Sequence, residues 1–589
     1  MKKCPKCGAK LQKGRRRCPE CGEFVARRKS KGLLEKPALI YGGIAAAAIL
    51  VVVLIFAFAG GEKKNTLYLK DMELSLLASG SNKEVELTNK LVYEKSMDQF
   101  DLEYMANHYY SKLVKKSKNG DRIYYPSNII RLSNFTLTYR DLNEKDGEIV
   151  ELAKGVSDYK ISEDGKKVVY VSEGTLYLYN GKEAIPMEKG VTNFEISKDG
   201  KKIIYINSER AVCLNQSGKT KKIVKEVGTL DYIDEALDVI YYTKDANLYR
   251  KEIGKDAKKL ASKVVSVLKV YESGEIYYLK ENAEKISAQD YVENDVKKEK
   301  DDIKKELKES QIDTHTYELF FYNGKSQKAV AKNVQQENLK IAAERPVIVF
   351  TAGDLDGMEK MKLSEISSVW EVEEKVMNYL ADSCKYYVAA EAKTKAVKEK
   401  NVEHIILAEN GDTIYYVADI AEDKVGTYDA TGTLYKMQVS GSKIGAGKKY
   451  ASDVFAKDIA FVGEEGVLYY KNVSEVTYTM QGDLYVNKKM ADKNVKLGSA
   501  VCYGEVDDKT VYFLTDWKYQ DSMGALKKVK GKKVTEIRKA AHAFYSMKKG
   551  EVLFIGDYDV ETYAGNLYRY NGKAHKIDKN VIAIMQNRQ

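Results

Sequence analysis

Histidine and proline are scarce in this chain of 589 residues, at five and six copies, and cysteine is little commoner at seven. So few prolines exclude a collagen-like rod, and so few cysteines in so long a chain exclude a disulfide-dense scaffold. His108, His315, His404, His542 and His575 are scattered without metal-ligand spacing and read as surface or rim residues. Catalytic signatures are missing as well: there is no HExxH, no G-x-S-x-G, and no G-x-G-x-x-G between a strand and a helix. Gly218-Lys219-Thr220 and Gly324-Lys325-Ser326 look like phosphate-loop endings, but Cys213 and Leu319 stand where the leading glycine is needed. Asp354-Leu355-Asp356-Gly357 opens like an acidic calcium loop, yet the later ligands do not follow.

A surplus of one charge is lacking over most of the chain. Residues 1–36 carry 13 of the 97 basic and 3 of the 86 acidic residues, which leaves +1 of the net +11 for everything after them. A near-neutral bulk supplies no broad phosphate-attracting field, and this disfavours nucleic acid as the partner of the large part.

What the chain does have begins with residues 38–59, an uncharged run of 22. As a helix rising about 1.5 Å per residue it reaches roughly 33 Å, enough for a hydrocarbon core of about 30 Å. Arg15, Arg16, Arg17, Arg27, Arg28, Lys29, Lys31 and Lys36 precede it, whereas only Lys63 and Lys64 follow closely. The positive-inside rule then puts residues 1–37 in the cytoplasm and 60–589 outside, as a single-pass cell-membrane protein with the lipid bilayer as its first partner.

Cys4-Pro5-Lys6-Cys7 and Cys18-Pro19-Glu20-Cys21 form C-x2-C-x10-C-x2-C, each pair followed by glycine. Two thiolates two residues apart grip one side of a tetrahedral ion, and two such pairs close a Cys4 site. Cys4, Cys7, Cys18 and Cys21 are therefore expected to hold a structural Zn2+, whose binding folds a unit too small for a core. This segment resembles the short zinc ribbon at the N-terminus of many bacterial membrane proteins. Arg15–Arg17 and residues 27–31 serve topology and lipid headgroups, or dock a cytoplasmic protein or nucleic acid.

From about residue 66 a unit of short strands repeats. Its openings lie near residues 67, 122, 167, 202, 239, 275, 347, 413, 467, 510 and 551. A β repeat of about 35–50 residues signals a propeller, with apolar and aromatic residues alternating along each strand. The 44 tyrosines suit this, with rings between blades and hydroxyls on solvent or backbone. Residues 161–170 and 196–205 resemble the S-x-D-G-x-x-[IVL]-x-[FY] blade motif of TolB-like (WD40-like) propellers. That resemblance implies a fold and no particular function. Eleven openings exceed a typical ring, so either two rings stand in tandem or some openings mark half-blades of one large ring; the reading preferred is one continuous array that includes a second, incomplete or merged ring.

Two insertions interrupt the pattern. Residues 287–310 read as an exposed helix with Val292, Val296, Ile303 and Leu307 along it. Residues 364–384 read as a helix docking Ile366, Val369, Trp370, Val376, Met377 and Leu380 on the propeller rim. Cys213, Cys384 and Cys502 read as free thiols. The expected organisation is a zinc ribbon at 1–24, a basic linker at 25–37, the span at 38–59, a linker at 60–65, and a mainly β propeller at 66–589. The expected function is binding, sensing or scaffolding of an envelope protein or ligand without catalysis. The alternatives are an envelope enzyme with its site in a propeller mouth, and a membrane-bound regulator touching nucleic acid through the ribbon.

Overall fold

A computed structural model describes residues 2–3, 10–11, 66–70, 73–77, 84–88 and 110–584, the last stretch without 132, 143–147, 283–285, 297–299, 503–508 and 547–550. The span at 38–59 and Cys4, Cys7, Cys18 and Cys21 lie outside these residues. Among the described residues no helix is long and apolar enough to cross a membrane.

The strands form eleven successive antiparallel groups of four, blades 1–11 in chain order, with strands a to d in each. Blade 4 is representative: Asn193–Ile196, Lys202–Ile206, Val212–Gln216 and Lys219–Val224, paired in that order. The b strands begin at Thr66, Arg122, Val168, Lys202, Val239, Ile276, Val347, Thr413, Gly466, Thr510 and Val552, each within a residue of one of the eleven openings. Blade 1 is built from both ends of the chain. Residues 581–584 supply its strand a, and Thr66–Lys70, Glu73–Leu77 and Glu84–Thr88 supply b, c and d, with Tyr68 opposite Ile584. Among the described residues, apolar clusters join blades adjacent in sequence, and one cluster carries blade 11 through blade 1 into blades 2 and 3. This is a single closed ring. The preferred reading with a second, merged ring is corrected in favour of one large ring, because among the described residues no apolar cluster bridges blades out of this order.

Strict alternation is also corrected for strand b. Val347–Ala352 and Thr413–Ala418 are buried at every position, because each face of a blade meets a neighbouring blade. Tyrosine doublets exploit this, since successive side chains point to opposite faces. Tyr277 packs toward blade 7 and Tyr278 toward blade 5; Tyr415 packs toward blade 9 and Tyr416 toward blade 7. In seven blades a strand-b ring also stacks on its cross-strand partner in strand c, as Tyr170 does on Tyr177 and Tyr416 on Tyr435. These ring planes lie within 16° and their centroids 5.1–5.7 Å apart. Each such pair adds about 0.5–1.5 kcal/mol beyond area burial and pins the register.

The a–b turns explain the serine, aspartate and glycine of the motif. Ser162 Oγ donates to Asp164 Oδ1 (2.6 Å) and accepts from the Lys167 amide (3.0 Å), and Ser197 does the same with Asp199 and Lys202. Gly165 has φ +67°, and a Cβ there would lie 2.8 Å from Ser117 Cβ of the preceding blade. Side chains of one blade then reach the next turn. Tyr124 Oη donates to Gly165 O (2.7 Å), Lys167 Nζ to Gly200 O (2.9 Å), Tyr277 Oη to Pro346 O (3.0 Å), Arg345 Nη2 to Gly411 O (2.8 Å) and Tyr415 Oη to Glu465 O (2.6 Å).

Gly165 and Gly218 test this arrangement, since both have positive φ but nothing lies within 4 Å of a Cβ at Gly218. Gly165→Ala should cost roughly 2–4 kcal/mol through left-handed strain plus the inter-blade clash, and Gly218→Ala only about 1 kcal/mol. Denaturant unfolding of the two variants checks the difference.

Candidate functional site

Four antiparallel strands per blade give the ring two unlike faces. One carries the a–b and c–d turns. The other carries the b–c turns and the d-to-a crossings, and it gathers the irregular features.

Both insertions occupy b–c positions in neighbouring blades. Residues 282–316 part strands b and c of blade 6, and 353–384 part those of blade 7. They do not dock separately on the rim. Val292–Glu293 pairs in parallel with Met361–Lys362, and Ala288, Leu307, Ile312, Leu363, Ile366, Val369, Val372 and Val376 form one core of their own. The expected helix at 287–310 shrinks to α1, Asp301–Glu309, because Ile286–Glu293 is taken up by strand pairs and a 3-10 turn. Asp301 and Asp302 open α1 and Lys308 closes it, which suits the helix dipole. The second helix, α2, is Val369–Asp382, and its buried stripe is Val369, Val372, Val376 and Leu380. Trp370 is 64% exposed rather than docked, because one residue along a helix turns the side chain about 100° off the stripe. Val372, absent from the predicted set, takes its place.

Lys300 binds the two insertions. Its Nζ donates to the carbonyls of Leu363 (3.0 Å), Ser364 (2.8 Å) and Ile366 (2.6 Å), while Asp295 Oδ1 accepts from the Ser364 amide (2.9 Å). Gly353 sets the seat of α2, since a Cβ there would fall 2.6 Å from Leu380 O.

Beneath this composite lobe lies a cavity of 590 Å³, lined by Asn282, Tyr291, Glu318, Asn333, Asp354, Asp356 and Tyr387 among others. Asn282 Nδ2 donates to Thr316 Oγ1 (2.6 Å) and Asn333 Oδ1 (3.3 Å). Burial pushes the Tyr291 and Tyr387 hydroxyls up from the usual phenol range. Glu318, Asp354 and Asp356 outnumber Lys332, so the lining is net negative. Such a cavity can orient a polar ligand through amides, carboxylates and phenols.

Exposed aromatic side chains mark the same face. Tyr478 is 77% exposed in the b–c turn of blade 9, and its ring lies 5.6 Å from that of Tyr519 in blade 10. Tyr428 and Val425 protrude from the b–c loop of blade 8 and Ile130 from blade 2. Behind Tyr519, Lys496 Nζ sits 3.4 Å from the Trp517 ring centroid, and His542 stacks on Tyr558 at 3.6 Å. The turns themselves carry exposed acids, including Glu173, Glu209, Asp245, Asp423, Asp521 and Glu561.

The sequence-predicted chemistry does not converge. His404, His542, His315 and His575 fall in blades 8, 11, 6 and 11, His108 lies outside the described residues, and His404 is lowered by burial. Among the described residues no three metal-ligating side chains cluster. Gly218-Lys219 and Gly324-Lys325 sit in tight c–d turns, whereas Asp354 and Asp356 line the cavity. Cys213 is buried and Cys384 is half-buried, both as free thiols, and Cys502 is half-buried. Half-buried ionisable groups, Lys115, Asp231 and Asp458 among them, are not marked by any local motif. Lys115 lies 4.8 Å from the Tyr159 centroid and is lowered to about 8 by burial. Asp231 is raised by burial and stands in a different blade.

Strand order, ring closure and blade-to-blade packing together define a β-propeller. No family model matches the sequence, and no curated protein matches it. Among solved structures the chain is similar to a eukaryotic initiation factor, at 10% identity and a TM-score of 0.36 over 81% of this chain and 97% of that one. It is similar to the tricorn protease at 10% identity and 0.25, over 88% and 57%. It is also similar to the Cps50 (Swd1) β-propeller domain of Myceliophteria thermophila at 10% and 0.24, over 56% and 96%. At these scores the assignment rests on this chain's own strand order and packing.

Lys300→Met should uncouple the insertions at a local cost of about 1.5–3 kcal/mol, the worth of charge-assisted hydrogen bonds. Amide hydrogen exchange in 286–312 and 355–382 should accelerate while strand b of blade 4 stays unchanged.

Proposed function

We propose that this chain is a membrane-tethered binding protein whose propeller engages an envelope protein or ligand through the b–c face. The observation that carries this reading is the gathering on one face of the composite lobe, the cavity beneath it and the exposed aromatic residues. Turns and loops held by a rigid scaffold are where recognition residues concentrate, and exposed Tyr and Trp are favoured anchors of interfaces. The span at 38–59 holds the ring beside the bilayer, with residues 1–37 in the cytoplasm and the propeller outside.

The N-terminal cap is proposed to be a structural zinc ribbon. Cys4, Cys7, Cys18 and Cys21 would fill all four positions of a tetrahedral Zn2+, leaving none for a substrate. The antiparallel pairing of Lys2–Lys3 with Lys10–Leu11 supports it, because those strands flank the first cysteine pair as a hairpin. A cytoplasmic protein is the partner this cap suits.

Two measurements test the reading. Purified full-length protein should carry one zinc per chain by elemental analysis, and Cys4→Ser with Cys18→Ser should remove it. The propeller's thermal transition should stay unchanged, since the ribbon folds on metal alone. Photo-cross-linking in cells from position 478 should yield discrete adducts with an envelope component, lost on Trp370→Ala with Tyr519→Ala. Equal cross-linking from position 325, on the other face, would count against the b–c face as the binding surface.

A further inference from the structure

Chain direction determines which face of the ring meets the bilayer. Strand b of blade 1 starts at Thr66 and runs from the a–b side toward the b–c side, and residues 581–584 end beside its start. The chain therefore enters the ring on the face of the a–b and c–d turns. Six residues, 60–65, separate that entry from the proposed span, and fully extended they reach at most about 21 Å. The b–c face lies a further strand length away, roughly 17–20 Å. So short a tether holds the a–b and c–d face toward the lipid.

The charge on that face is suited to lipid. Among the described residues, every c–d turn from blade 3 to blade 11 presents an exposed lysine, such as Lys182, Lys219, Lys325, Lys443, Lys532 and Lys573. The carboxylates of the a–b turns, Glu235 and Glu464 among them, lie where the inner strands a and b join, so the lysines of the c–d turns form the outer rim. Blade 11, beside the blade where the tether enters, carries Lys573, and blade 10 beyond it carries Lys532. The b–c turns carry the acids and aromatic residues described above, with bases such as Arg210 and Lys424 only at some of them, so that face has no continuous lysine rim.

We propose that the lysine rim of the c–d turns is a membrane-contact surface, docked on anionic lipid headgroups, which holds the b–c face away from the bilayer. This rests on the reading of residues 38–59 as a span, and the test separates the two. Full-length protein is reconstituted in phosphatidylcholine vesicles with and without phosphatidylglycerol. Lysines are acetylated with a water-soluble reagent and followed by mass spectrometry. Lys532 and Lys573 should react about fivefold more slowly in the anionic vesicles, the factor that roughly 1 kcal/mol per lysine near such a surface implies. Lys360, in the composite lobe, should react equally in both, and high salt should abolish the difference. Lys532→Glu with Lys573→Glu should cancel the slowing of neighbouring Lys533 while leaving the protein resistant to alkaline carbonate extraction. Equal labelling in both vesicles, or slowing at Lys360 instead, overturns the proposal with the span intact. Release by carbonate would overturn the span itself.

Discussion

Burial of strand b on both faces is the constraint from which the rest of this molecule follows. A strand covered on one side is satisfied by alternation; a strand covered on both needs an apolar or aromatic side chain at nearly every position. The tyrosine doublets meet that need, one ring entering each interface, and the second strand pair keeps them in register. Because each blade has no face left over for solvent, it is unstable without its neighbours, and the ring must close on itself. The hydroxyls are then led to the adjoining turn. Tyr124 and Tyr415 end on a backbone carbonyl of the next blade, so aromatic burial and turn geometry are fixed by the same residue.

Much of this was legible in the linear chain. The run K-K-V-V-Y-V at 166–171 and its relatives mark strand b because period-two burial on two faces leaves a dense local signature. The count of strand-b openings was correct for the same reason. The single ring was not legible, because closure depends on Leu69 meeting Ala583 across the whole chain, and no local pattern records a contact of that separation. The insertions were found but misjudged. Leu307 is expected along an exposed helix and Val376 on the propeller rim, whereas both enter one shared core. An apolar stripe states that something covers it and is silent about what does. The cavity is illegible for a related reason: Asn282, Asn333 and Asp354 come from three separate stretches, and only Asp354 stands in a motif, the acidic fragment 354–357.

The two faces of the ring divide the chemistry. On one side are short, glycine-dependent turns whose positive φ values and serine contacts tolerate little change, together with the point where the chain enters. On the other, turns vary freely in length, and blades 6 and 7 have each accepted a long insertion without disturbing strands b and c on either side. Lys300 and Gly353 show how that freedom was consolidated: one charge satisfies three carbonyls of the partner insertion, and one missing side chain lets α2 sit against the end of its own blade. A lobe shared between two blades is stiffer than two independent loops, which suits the cavity below it.

The joint of blade 1 sets an order on biosynthesis. Residues 66–88 leave the ribosome first among the propeller strands, yet the strand that completes their sheet is made last. At about 5–20 residues per second the interval is roughly half a minute to two minutes. Throughout it Thr66–Lys70 presents a bare hydrogen-bonding edge with Leu67 and Leu69 uncovered. A nascent chain of this design must be guarded against pairing with another copy until residues 581–584 arrive, and a ribosome stalled before them would release a ring unable to shut.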